Sequence, residues 1–276
     1  MININDGLPP EATRLIYSNY ANQMTVQLFD VHPRFPYSQT LIPNPLATGV
    51  LAQYNNEYII ITASHVLDSQ DVEKYGMYIG GINSFIDLGE FSFVRTSYNN
   101  SRVVDDDVDI AVIILETEVV KKIHLSGYIF TKSIAAKTEG ENDFSYPCAH
   151  FIHGFPINLT SKRDQHYEPV SLSCFLPVYD GTKSNWASKF NDKHIDFEYF
   201  PKEKVGLDGK DLSLNLPEPH GYSGCGVWRV PLSSEYSENS EGITMVLVGI
   251  IHRFNRSINV LRSTNLDALH ELIKHR

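Results

Sequence analysis

A chain of 276 residues that is 42% hydrophobic, 20% charged and 11% aromatic is too apolar for disorder and long enough to bury a substantial core. Its formal net charge of −10, without a long run of Lys or Arg, excludes general nucleic-acid binding, which needs a basic face. No apolar run is long enough to span a bilayer as a helix, and Met1 to Pro10 lacks the basic start and apolar core of a secretory signal, so a soluble, cytoplasmic protein with no membrane partner is expected.

Residues 1–22 hold Asp6-Gly7-Leu8-Pro9-Pro10 and then weak helical spacing from Glu11 to Tyr20, and read as an arm laid over the body. From Met24-Thr25-Val26-Gln27-Leu28-Phe29 onward, short β-branched and aromatic runs alternate with Pro, Gly and Asn clusters, as antiparallel strands do and βαβ units do not. Ala47 to Ala52, a turn at Tyr54-Asn55-Asn56-Glu57, and Tyr58 to Ala63 form a hairpin whose second strand delivers His65. Met77 to Gly80, Phe91 to Val94 and Ile110 to Leu115 complete a first barrel over about 23–125. The acidic run Asp105-Asp106-Asp107-Val108-Asp109 lacks EF-hand spacing and is not read as a calcium loop, whereas Asp109 opens an apolar strand.

A second barrel over about 126–262 begins near Ser126 to Phe130. It takes in Phe144 to Gly154, Val170 to Leu176, Ile195 to Phe200, Gly226 to Val230, Met245 to Ile251 and Ile258 to Leu261. Cys148-Ala149-His150-Phe151-Ile152-His153 contains metal-binding residue types. In a strand, however, Cys148 and His150 share one face and His153 takes the other, so no metal is expected, and no cofactor. Lys121-Lys122 and Ser161-Lys162-Arg163 read as solvated edges. Leu266, Leu269, Leu272 and Ile273, with Asn265 as an N-cap candidate, give a C-terminal helix over about 264–275 that packs on the second barrel.

The stretch His220-Gly221-Tyr222-Ser223-Gly224-Cys225-Gly226-Val227-Trp228 sets a hydroxyl in a glycine-dense turn that runs into a strand. Taken alone it is equally a hairpin turn with an incidental serine. A nucleophilic serine also needs backbone donors for an oxyanion, a general base and a carboxylate to orient the base. The amides of Gly221 and Ser223, the ring of His65 in Thr62-Ala63-Ser64-His65, and Asp109 in Asp109-Ile110-Ala111-Val112-Ile113 supply these types, at strand ends where a core alone would place apolar side chains.

With these three motifs in the order His, Asp, Ser, the chain resembles the trypsin/chymotrypsin-like serine peptidases. Gly154-Phe155-Pro156 looks like a turn common in bacterial members, and Val248-Gly249-Ile250-Ile251-His252 looks like the strand lining the substrate cleft. The resemblance implies an all-β, trypsin-like double β-barrel with a C-terminal α-helix, one peptidase domain over 1–276. It implies a serine endopeptidase acting on a protein or peptide through an acyl-enzyme, with His65 as base, Asp109 as its orienter, Ser223 as nucleophile and Gly221 and Ser223 as the oxyanion hole. Residues from about 157 to 215 match nothing in the family pattern.

Secreted members of this family usually carry several disulfides, whereas Cys148, Cys174 and Cys225 cannot all pair in one chain, which fits a bacterial-type intracellular member. Tyr222 and Cys225 depart from the family pattern around the serine. Activation by a cleaved N-terminal amine is not expected, since Tyr222 stands where that mechanism needs an aspartate, so access is expected to be controlled by a regulatory protein partner, a loop or the N-terminal arm. For substrate contacts, His220 stands beside the oxyanion hole, and His252 falls where the glutamyl endopeptidases, which this stretch resembles locally, carry a histidine that binds an acidic side chain; with Arg253 and Arg256 adding positive charge nearby, that resemblance implies an acidic or polar side chain before the cut bond, while an inward Glu218 would favour Lys or Arg. The alternative reading is a catalytically weak or inactive module that holds peptides in the inter-barrel cleft. An esterase elbow would need a βαβ context and the order Ser, Asp, His.

Overall fold

Runs of β-branched and aromatic residues broken by polar turns satisfy their backbone groups by pairing with one another, and here they do so in two large antiparallel sheets. The computed structural model describes residues 11–30, 44–68, 75–80, 84–96, 108–126, 148–159, 161–163, 166–179, 193–199, 219–232, 238–239, 242–243 and 245–274. The first sheet comprises β1 (Thr25–Asp30), β2 (Asn44–Tyr54), β3 (Glu57–Thr62), β4 (Tyr75–Ile79), β5 (Ser84–Asp87), β6 (Ser92–Arg95) and β7 (Ala111–Ile114), in the order β5-β4-β1-β2-β3-β7-β6. Asn55 and Asn56 take φ of 46° and 65° between β2 and β3, the left-handed pair whose twist suits a two-residue hairpin.

The second sheet comprises β8 (Cys148–Gly154), β11 (Leu172–Phe175), β12 (His194–Glu198), β13 (Gly226–Pro231), β16 (Val246–Asn255) and β17 (Val260–Asn265), in the order β11-β8-β13-β16-β17-β12. Two small ribbons accompany it, β9 (Ser161–Arg163) with β10 (His166–Glu168), and β14 (Glu238–Asn239) with β15 (Gly242–Ile243). Two antiparallel sheets with few helices fit the all-β double-barrel class. Among the described residues, no helix is long and apolar enough to cross a membrane.

Among the described residues three α-helices frame the sheets, and each refines an expectation. The arm is helical over Glu11–Met24 (α1), where Tyr17, Ala21 and Met24 recur at helical spacing and are all buried. Residues 1–10 lie outside the described residues. An unexpected helix, α2 (Thr117–Leu125), follows β7: Val119 and Ile123 lie one turn apart and are buried, while Lys121 pairs with Glu118 at 2.6 Å on the exposed face. The Lys pair, read as a solvated edge, lies on the exposed side of this helix. The segment expected to open the second barrel, Gly127 to Phe130, lies outside the described residues, and β8 is the first strand seen there.

The C-terminal helix α3 (Asp267–Lys274) starts where Asn265 Oδ1 accepts the Asp267 N–H at 3.4 Å. It packs across both sheets and not on the second alone. Leu266 and Leu269 share one buried cluster with Val112 and Ile114 of the first sheet and with Phe151, Val230 and Ile250 of the second. Each such side chain contributes roughly 1.5–3 kcal/mol by leaving water, so this seam fixes how the two sheets face each other.

Candidate active site

His65 sits just past β3, on a 3-10 turn spanning Ser64–Asp68. The sequence suggested a strand end; the chain instead turns at Ala63, and Ser64 Oγ anchors the turn by donating to the Thr96 carbonyl at 2.9 Å. Asp109 lies two residues before β7, is 6% exposed, and its N–H donates to Thr264 Oγ1 at 3.2 Å. Its carboxylate grips His65 twice: Oδ1 accepts the His65 backbone N–H at 3.0 Å, and Oδ2 stands 2.7 Å from Nδ1. That contact fixes the imidazole with its proton on Nδ1, which leaves the Nε2 lone pair facing Ser223 Oγ at 3.0 Å. Asp109, His65 and Ser223 thus stand in line across the junction of the two sheets.

Electrostatics follow from this packing. Burial would raise the Asp109 pKa, but the close His252 ring and the hydrogen-bonded His65 ring hold it well below the usual carboxylate range. For His65, burial pulls the pKa down, yet the hydrogen bond and charge of Asp109, with the charge of Asp68, outweigh it and raise the pKa. Asp68 is held in place by Arg95.

The serine loop is shaped by where its carbonyls go. Those of Pro219, His220, Tyr222 and Ser223 accept from the N–H groups of Tyr222, Ile157, Cys225 and Thr48 at 3.3, 3.0, 2.9 and 2.9 Å, and Gly221 O accepts from Thr48 Oγ1 at 3.2 Å. Because a trans peptide points its C=O and the next N–H in opposite directions, the Ile157 bond to His220 O turns the Gly221 N–H the other way. Among the described residues the amides of Gly221 and Ser223 donate to no carbonyl. Gly221 and Gly224 have φ of 90° and 86°, and a side chain at Gly224 would overlap the Thr48 carbonyl, so both glycines are required.

Thr48 is a residue that sequence reasoning missed. It is fully buried, and its only signal is a hydroxyl between Ala47 and Gly49 in an apolar strand. Tyr222, next to the serine, is 2% exposed and meets Tyr199 edge-on, hydroxyl to hydroxyl at 3.4 Å; burial pushes its pKa well up.

The expected substrate contacts divide. His220 and Arg253, with Pro219, Phe254 and Arg256, line an open groove of about 780 Å³ beside the serine loop. Glu218 lies outside the described residues. His252, expected in that groove, is placed elsewhere. Its side chain is 6% exposed and its Nδ1 is 3.6 Å from Asp109 Oδ2, because the strand bulges at this residue and turns the ring inward. In the Cys148-x-His150-x-x-His153 run, His150 packs on Phe197 while His153 Nδ1 is 2.7 Å from Ser173 Oγ; burial first, with the Arg229 charge, lowers His150 to about 4, and burial lowers His153 to about 3.

No protein-family model matches this chain, and no curated protein sequence matches it. Among solved structures it is similar to neuropsin, a serine protease expressed in the limbic system of mouse brain, over 93% of this chain and 95% of that one, with a TM-score of 0.51 at 12% sequence identity. A likeness at that identity establishes the fold: the two sheets form a trypsin-like double β-barrel.

Proposed function

We propose that the protein is a serine endopeptidase that cleaves a protein or peptide through an acyl-enzyme. The observation that carries this reading is the line of contacts from Asp109 Oδ2 to His65 Nδ1 at 2.7 Å and from His65 Nε2 to Ser223 Oγ at 3.0 Å. In this reading Ser223 Oγ attacks the substrate carbonyl carbon as its proton passes to His65 Nε2. Asp109, ionised and fixed, stabilises the imidazolium, and the Gly221 and Ser223 amides receive the oxyanion. His65 then delivers the proton to the leaving amine, and water, deprotonated by the same ring, hydrolyses the ester.

The Gly154-Phe155-Pro156 turn and three free cysteines support a bacterial-type member kept in a reducing cytoplasm. We read the chain as one domain, since a single apolar cluster joins both sheets with α1 and α3. A peptidase kept among other proteins needs its access controlled, which we assign to a partner protein or to segments flanking the cleft.

The test is reaction of the full chain with a broad fluorophosphonate, mapped by mass spectrometry, together with turnover of a peptide library. Labelling at Ser223 alone is expected. Ser223→Ala or His65→Ala should each lower turnover by about 10⁴-fold or more, with little further loss in the double variant, because the members act as a unit. A folded chain with an unlabelled Ser223 would favour the peptide-binding module instead.

A further inference from the structure

The groove beside the serine loop is lined by two segments: Pro219 and His220 from that loop, and the run from Arg253 to Ser257 from β16 and the turn that follows it. Tyr199 touches both. It follows β12, is fully buried, and falls in the stretch from about 157 to 215 that matches nothing in the family pattern. Toward the second segment, its N–H donates to the Asn259 carbonyl at 2.8 Å, in the turn between β16 and β17, and its ring meets Phe254 edge-on at 5.7 Å and 80°. Toward the first, it meets the Tyr222 ring edge-on at 5.8 Å and 76°, and its hydroxyl donates to the Tyr222 hydroxyl at 3.4 Å.

Tyr222 is the neighbour of Ser223 in the chain, so where its ring rests limits where the serine backbone can lie. The ring is 2% exposed, and among the described residues its hydroxyl bonds only to Tyr199. Burial, the largest cause, pushes both phenols up, so both hydroxyls keep their protons. A neutral pair of this kind holds its place by packing and direction, not by charge, and two edge-on ring contacts and one hydroxyl contact meet at Tyr199. Without Tyr199 the Tyr222 hydroxyl would be a buried polar group with no partner, and Phe254 would lose its edge-on neighbour.

We propose that Tyr199 is a positioning residue that fixes the groove wall at Phe254 and the serine loop at Tyr222 to one another, so that a side chain held in the groove presents its peptide bond to Ser223 Oγ at a set distance. The proposal deepens the peptidase reading and rests on it for the meaning of the groove. A misplacement of about 1 Å between a binding wall and a nucleophile can slow a reaction on the order of 10²-fold, so a residue too buried to touch substrate still governs rate. Because the same ring packs on Phe254, Tyr199 governs which side chain the groove accepts as well.

Two measurements on the full chain separate this role from a contribution to folding alone. Amide hydrogen exchange, which needs no turnover, follows both groove segments, and Ser223 phosphonylation with cleavage of a peptide library follows rate and choice. Tyr199→Leu removes the ring and is expected to speed exchange in both segments, to slow phosphonylation on the order of tenfold, and to flatten the preference for the side chain before the cut bond. Tyr199→Phe keeps the ring but strands the Tyr222 hydroxyl, so phosphonylation should slow by roughly threefold, and adding Tyr222→Phe should regain most of that loss because neither polar atom is then left unpaired. Tyr199→Met replaces the leucine variant if that one does not fold. Exchange that rises in one segment only, or a folded leucine variant with the parent's labelling rate and preference, overturns the proposal. So does a double phenylalanine variant slower than the single one. A parent chain that never labels at Ser223 overturns the peptidase reading instead, while the exchange measurement still decides whether Tyr199 joins the two segments.

Discussion

The backbone N–H of Thr48 donates to the carbonyl of Ser223 at 2.9 Å, so a strand of the first sheet fastens the serine loop of the second. The Thr48 hydroxyl also donates to Gly221 O at 3.2 Å and accepts the Phe155 N–H at 3.0 Å, all in a fully buried position. Thr48→Val keeps the shape and strands both partners. Stability to urea should fall by about 1–3 kcal/mol, the cost of a buried polar group left unpaired, and phosphonylation of Ser223 should slow with it. A variant with parent stability and rate would make the hydroxyl a bystander.

The charge of Asp68 is among those that raise the His65 pKa, and on the proposed peptidase reading it tunes the base from a distance. A base must be neutral to accept a proton, so activity should rise with pH through a His65 midpoint above 6.5. The linkage sign is that of a raised histidine pKa: the stabilising Asp109–His65 charge interaction is fully present below 6.5 and is lost as pH rises through the folded midpoint. Asp68→Asn removes one of the charges that raise the pKa, so its pH–rate profile should shift toward lower pH. A profile that stays put or shifts upward would remove Asp68 from the account.

Tyr222 fills the position beside the serine with a buried ring paired to Tyr199, and on the proposed peptidase reading no terminal amine would be needed to order the loop. Acetylating or extending the N-terminus should leave Ser223 labelling unchanged. Tyr222→Asp should lower stability by about 3–5 kcal/mol, as an uncompensated buried charge does. Activity that appears only after an N-terminal cut would contradict this.

Substrate preference should follow the groove. His220, Arg253 and Arg256 line it, and basic side chains at a groove wall draw acidic partners. Cleavage profiling on a peptide library should show Asp or Glu ahead of Lys or Arg before the cut bond, and Arg253→Glu with Arg256→Glu should weaken or invert that order. A strong preference for Lys or Arg in the parent chain would shift the assignment to Glu218.

Residue types and their local order were enough to indicate two β-sheets, the hairpin at Asn55-Asn56, the C-terminal helix with Asn265 at its start, and which histidine, aspartate and serine would meet. Strand periodicity and glycine density are local properties, and each motif carries its own signature within a few residues. Long-range packing decided the rest. Helix α2 was hidden because only Val119 and Ile123 mark its buried face, among charged residues that read equally well as a solvated edge. Thr48 became a fastening point only once β2 lay against the serine loop, 173 residues along the chain from the Gly221 carbonyl it holds. His252 reads as a substrate contact because its stretch resembles one that lines a cleft, and a resemblance of local sequence carries no bulge. One extra residue opposite Ser263 and Arg262 turned it onto Asp109, a registry between two strands that no local pattern in either one encodes.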